Sequence, residues 1–234
     1  AESAIAQLNV HKRSFDARQK AELLAVYIVD ITLADASQEA VLLAQFAEHS
    51  HVNPTPDMAW YPVGQAPADL QHRPVVVGFG PCGMFAALVL AQMGFKPIVL
   101  ERGKTVRERT KDTWRLWRKR ELSPESNVQY GEGGAGTFSD GKLYSQIKDP
   151  RHLGRKVLTE FVTYGAPPAI LYAAHPHIGT FKLVKLVEGI REEIHRLGGE
   201  IRFEQRVTDV QIEETDGQRQ LTSLQVLNQA TGES

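Results

Sequence analysis

Cysteine is nearly absent: Cys82 is the single one in 234 residues. With no second thiol, an internal disulfide and a dithiol shuttle are both excluded. Excess charge is missing too. The 27 Lys and Arg stand against 28 Asp and Glu, a formal net charge of −1, so the chain as a whole is not a polyanion binder. No apolar stretch approaches the roughly 18 residues that a membrane span requires. The N-terminus lacks a basic segment followed by an apolar run, so no secretory signal is read. These absences lead to the expectation of a soluble cytoplasmic protein with no membrane partner. What remains is ordinary globular composition, 42% hydrophobic and 24% charged, with enough apolar content for one or two domains. The chain begins with Ala1 rather than Met and stops on "NQATGES" just after a strand-like run. It is therefore expected to be part of a longer protein, truncated at its C-terminal side.

"LLAVYIVDITL" (Leu23 to Leu33) is rich in β-branched and aromatic residues and predicts a strand. "SQEAVLLAQFAEH" (Ser37 to His49) predicts a helix with Ser37 as its cap. The proline-rich stretch from His51 to Pro74 reads as a linker. A small N-terminal α/β module plus linker over residues 1–70 is expected, followed by a second domain over 71–234.

From Val75 the pattern changes. "VVVGFG" reads as a short buried strand, "GMFAALVLAQMG" as an apolar helix and "KPIVLERG" as a second buried strand. This is the β-α-β unit of a parallel sheet. Residues 104–120 predict a basic helix with Val106, Thr110, Trp114 and Trp117 near one face. A glycine-dense loop follows. Leu183, Leu186, Val187, Ile190, Ile194 and Leu197 recur at helical spacing before a Gly198-Gly199 stop. Residues 200–232 alternate by twos around Asp216-Gly217 and predict two or three antiparallel strands. The expected fold is α/β: a Rossmann-like parallel sheet with an antiparallel β segment and the small N-terminal module.

Gly78, Gly80 and Gly83 form G-x-G-x-x-G between the strand and the helix. The first glycine permits the turn, the second lets a pyrophosphate approach the backbone, and the third lets helix and strand pack closely. Pro81 and Cys82 occupy the same turn. The helix N-terminus offers unpaired N–H groups and a partial positive charge to phosphate. Glu101 ends the second strand, where a carboxylate accepts hydrogen bonds from both hydroxyls of an adenosine ribose and repels a 2′-phosphate. Spacing alone suits NAD as well as FAD, since both contain ADP.

The Glu101-Arg102-Gly103 run resembles the FAD-binding domain of glutathione-reductase-like flavoproteins. Together with "KRSFDARQK" (Lys12 to Lys20), "VYIVD" and "NVQYGEGGAGTFSDGKL", it is similar to a family of uncharacterised FAD-dependent dehydrogenases that carry a small N-terminal module. The resemblance implies FAD binding and redox activity, with no established substrate, in proteins considerably longer than this one. It also implies that the backbone of Val207, in "RVTDV", passes the adenine. By the same resemblance His177, in "HPHIGT", faces the substrate side of the flavin and is an acid/base candidate, although a surface turn is the simpler reading.

Gly133, Gly134, Ala135 and Gly136 would let backbone lie against a flat ring or a pyrophosphate. Thr137, Ser139, Asp140, Gly141 and Lys142 continue that loop. Lys142 is a second catalytic candidate, as a cation beside a reduced flavin, and Asp140 could equally pair with it. Cys82 is expected to pack under the helix. His175 and His177 lack the further ligands a metal needs, so no metal is expected. Arg102 and Arg109 lie close enough in sequence to the motif to meet phosphate. The basic helix reads first as a solvated face and only second as an RNA contact.

Three functions stay open on these residues. The first is a FAD-dependent oxidoreductase, with NAD(P)H or an organic molecule as the partner in hydride exchange. The second is an NAD-binding dehydrogenase domain. The third is a flavin- or nucleotide-binding regulatory or RNA-associated module.

Overall fold

The computed structural model describes residues 4–19 and 21–234; Lys20, the end of the Lys12–Lys20 run, lies outside them. By internal contacts the chain forms two compact units that are not consecutive stretches. One takes in the chain up to Trp60 with Leu143–Val162 and Pro167–His177. The other gathers Tyr61–Lys142, Thr163–Ala166 and Ile178–Ser234. This differs from the contiguous 1–70 and 71–234 expected, because two later segments join the first sixty residues.

In the first unit β1 (Ile5–Gln19) and β2 (Glu22–Leu33) form a long antiparallel hairpin. Leu8 pairs with Ile31, Val10 with Val29 and Phe15 with Ala25. These side chains are exposed, Val10 and Val29 the least so. Backbone bonds join Arg13 to Tyr172 and Ala174. Helix α1 (Gln38–Gln45) follows. Its expected cap fails, since the Ser37 hydroxyl donates to Asp35 Oδ1 at 2.6 Å and not to the helix.

The second unit is organised by three short parallel strands: β3 (Val75–Val77), β4 (Ile98–Leu100) and β5 (Glu200–Arg202), in that spatial order. Val76 pairs with Val99, and Val99 with Ile201. The expectation that the strands of residues 200–232 are all antiparallel is therefore corrected at its start: β5 extends the parallel sheet. Within this segment the hairpin is β6 (Gln205–Thr215) with β7 (Gln218–Asn228), turning through Asp216 and Gly217, both at positive φ. That is the turn geometry that matches strand twist.

Helix α2 (Pro81–Gln92) buries Met84, Ala87, Leu88 and Ala91, and packs against α5 (Thr180–Arg196). Helix α5 buries Leu183, Leu186, Val187, Ile190 and Ile194, the stripe its spacing predicts except for Leu197, which is half-buried at the helix end. Ile190 has no solvent exposure, so Ile190→Ala is expected to cost about 2–5 kcal/mol in chemical denaturation.

Helix α3 (Val106–Lys119) sits otherwise than predicted. Its buried residues are Val106, Arg109, Asp112 and Thr113, whereas Trp114 and Trp117 face solvent. Polar side chains form the inner face here: Arg109 bonds backbone carbonyls and Asp112 pairs with Lys104 and Arg115, while the buried Thr113 hydroxyl has no hydrogen-bond partner among the described residues. Helix α4 (Leu153–Thr163) was not read from the sequence.

Candidate functional site

After β3 the chain turns through Gly78, whose φ of +91° excludes a side chain on conformational grounds alone. Gly83 is constrained by space: a Cβ there would lie 2.0 Å from the Gly78 carbonyl oxygen. Gly80 is different. A Cβ on it would meet only the Gly134 Cα, at 3.9 Å, an ordinary contact. The protein itself leaves room for a side chain at residue 80. The small residue there is explained if something else uses that space. Helix α2 starts at this point with Pro81 in its first turn and no side-chain cap from Gly80, which leaves its first amides without an intrahelical partner. Cys82 is exposed, which corrects the expectation that it packs beneath the helix.

Glu101 is buried at the end of β4. One carboxylate oxygen accepts the Phe79 N–H and the other the Gly103 N–H, each at 2.7 Å. The carboxylate is thereby locked to the glycine turn. Each oxygen retains lone-pair capacity for one more donor. Gly103 lets the next loop in: a Cβ would be 2.6 Å from the Gly131 Cα. The Gly133 N–H donates to the Phe79 carbonyl at 2.8 Å, and a Cβ on Gly134 would stand 3.2 Å from the Gly80 Cα. Two glycine segments more than fifty residues apart in sequence therefore lie backbone against backbone.

Between them opens a cleft of about 440 Å³, within the usual range of small-molecule sites. Its walls include Gly78, Gly80, Glu101, Arg102, Tyr130, Gly131, Gly134, Gln205, Arg206 and Val207. Arg102 bonds Glu125 through Nε at 2.6 Å and stacks over the Tyr130 ring at 4.0 Å, while Arg206 Nη1 reaches the other Glu125 oxygen at 3.1 Å. The formal charges of Arg102, Arg206, Glu125 and Glu101 cancel. The partial positive charge of the α2 N-terminus is then what favours an anion.

Arg109 does not reach the cleft, contrary to expectation. It is fully buried. Its guanidinium donates to the carbonyls of Asn127, Val128 and Glu132 at 2.8, 2.7 and 2.5 Å, and lies 4.8 Å from the Phe138 ring centre. Burial lowers its pKa to about 10, which the nearby Glu101 and Glu132 oppose, so it stays charged at neutral pH. Gly131, at φ +118°, exists to let this side chain past: a Cβ would lie 2.5 Å from Arg109 Cδ. Arg109 is a staple that shapes the loop over residues 127–137.

Glu132 completes the staple. Fully buried, it accepts the Val106 N–H at 2.6 Å, capping α3, and pairs with Arg191 at 2.8 Å. Burial pushes its pKa up, and those two partners pull it down. Glu132 was not among the residues singled out from the sequence; its signal there is an acid set among glycines in "GEGGAG".

The remaining candidates separate. Thr137 is buried and bonds the Glu132 carbonyl at 3.3 Å. Ala135, Gly136, Ser139, Asp140 and Lys142 are exposed, and Gly141 is buried; none of the six lines the cleft. The Ser139 hydroxyl bonds the Gly136 carbonyl, and Lys142 pairs with Asp140 at 3.5 Å in the open. His177 is exposed and belongs to the first unit.

No family model matches the chain. A protein of Clostridium beijerinckii, described only as an uncharacterized protein, is 42% identical over 212 residues. The alignment covers 88% of this chain and 38% of that relative, so the chain spans well under half of its relative's length. The crystal structure of Thermovibrio ammonificans THI4 aligns with a TM-score of 0.43 and 17% identity, over 68% of this chain and 48% of that one, too distant to assign a fold. Among the described residues no helix is long and apolar enough to cross a membrane.

Proposed function

We propose that the chain is the dinucleotide-holding part of a FAD-dependent oxidoreductase with a Rossmann-like fold. The observation that carries this is the vacant side-chain direction at Gly80, beside an uncapped helix start and a Glu101 carboxylate held by two amides. These residues fit an ADP group. The α2 amides and Gly80 would hold the pyrophosphate, Glu101 the ribose hydroxyls, and Val207 with Arg206 the adenine end. The tie between Gly133 and Phe79 supports a flavin ring directed toward the Gly133–Lys142 loop. A bound flavin would supply hydride exchange at its N5. The chain's own contribution is to bind the nucleotide, fix its direction and keep the second glycine loop close to it.

The test is to purify the natural full-length protein, release any chromophore by denaturation and identify it, then mix the intact protein with NADH or NADPH without oxygen. A yellow protein that releases FAD and bleaches with one nucleotide is expected. A colourless protein that binds NAD would overturn the flavin and leave the second reading, an NAD-binding domain. Cys82 provides an independent check. Its alkylation by iodoacetamide is expected to slow when ADP is present, because the thiol sits one residue into the helix that would carry the phosphates. Unchanged alkylation at saturating ADP would contradict the placement.

A further inference from the structure

Helix α3 presents a face that the cleft does not use. Lys111, Trp114, Arg115, Arg118 and Lys119 follow one another at helical spacing and line a shallow groove of about 390 Å³. Trp114 is 47% exposed and Trp117 is 54% exposed. Their rings meet edge to face at 5.5 Å. The Arg118 guanidinium lies 4.5 Å from the Trp114 ring, and Trp117 packs edge-on to Phe138 at 6.1 Å. Both indoles are thus braced while keeping surface open to solvent. Arg115 is paired with Asp112 at 2.6 Å. Lys111, Arg118 and Lys119 make no ion pair among the described residues.

Charge and ring together narrow the occupant. An acidic peptide would use the cations and leave two indoles without a role. A lipid surface would call for an aliphatic face, and the large exposed apolar side chains of α3 are the two tryptophans alone. Single-stranded nucleic acid uses both features, with phosphates on the cations and bases against the rings. We propose that this face binds a short single-stranded nucleic acid segment, independently of the dinucleotide cleft. From Lys111 to Lys119 the helix rises about 12 Å, so the footprint is a few nucleotides.

The experiment is fluorescence anisotropy of labelled hexauridylate and hexathymidylate with the natural full-length protein over a range of salt. Three free cations predict that log K falls against log salt with a slope of about −2. Trp114→Ala and Trp117→Ala are each expected to weaken binding by roughly 5- to 150-fold, with melting temperature and cofactor content followed to confirm the fold. Lys111→Glu with Lys119→Glu should flatten the slope. Preference between the two probes identifies RNA or DNA as the source. Absence of binding, or binding untouched by either tryptophan change, would overturn the proposal. So would polyglutamate displacing the probe as well as an oligonucleotide of equal charge does, or tryptophan-dependent binding to phosphatidylserine vesicles with none to either oligonucleotide. All these outcomes leave the flavin reading unaffected.

Discussion

Gly80→Val is expected to fold as the parent chain does and to lose its nucleotide. The residue has φ −74° and ψ −177°, which valine adopts without strain, and its Cβ direction meets only a 3.9 Å contact. Changing an uncapped N-cap residue should shift stability by roughly 1 kcal/mol or less. The branched side chain would fill the space assigned to the pyrophosphate. Affinity for FAD or ADP should fall by ~100-fold or more, about 2.7 kcal/mol. Gly83→Ala is the contrast. Its new methyl group would stand 2.0 Å from a backbone oxygen, so the helix must separate from β3. Overpacking of that kind costs about 1–3 kcal/mol, and stability and binding should fall together. Thermal denaturation beside equilibrium titration distinguishes the two. A destabilised Gly80→Val chain, or one that still loads cofactor fully, would contradict the assignment of that space.

The second large effect is expected at Arg109. Arg109→Met keeps much of the volume and removes every donor, leaving the carbonyls of Asn127, Val128 and Glu132 without their buried partner. Loss of one side of a buried charged network typically costs about 3–5 kcal/mol. The loss should be local first. Hydrogen exchange and proteolysis should rise in residues 127–137 before they rise in α5. Arg109→Lys is expected to recover only part of the stability, because a single ammonium cannot span three carbonyls in the plane of a guanidinium fork. Cofactor affinity should fall too, since Gly131 and Gly134 line the cleft from this loop. Normal loop protection in Arg109→Met would show that the arginine does not organise it.

The glycine turn, α2, β4 and α5 were legible because each rests on local rules. Periodic apolar residues define the helices, and glycines mark places where a side chain would clash or strain. The Gly78-Gly80-Gly83 spacing also carried its own consequence, as the Gly83 contact demonstrates. What was not legible depended on partners distant in sequence. Nothing near Arg109 announces three carbonyls some twenty residues later, and so a basic residue in a basic helix looked like a phosphate ligand. The tryptophans of α3 were grouped with Val106 on one face by the same local logic, which could not show that Arg109, Asp112 and Thr113 would take the buried positions. β5 was taken for an antiparallel strand because three residues are too few for alternation to reveal direction. The contact between the Gly133 amide and the Phe79 carbonyl, which joins the two glycine loops, has no local signature at all.

In the proposed site Glu101 receives the ribose of an ADP group. Calorimetric titration of the parent chain and of Glu101→Gln with ADP and with ADP carrying a 2′-phosphate tests it most directly. The parent is expected to bind ADP and to disfavour the 2′-phosphate form by ~10-fold or more, about 1.4 kcal/mol. In Glu101→Gln that preference should shrink or vanish as the repelling charge is removed. Equal binding of both nucleotides by the parent, or a preference that Glu101→Gln leaves intact, would contradict the claim.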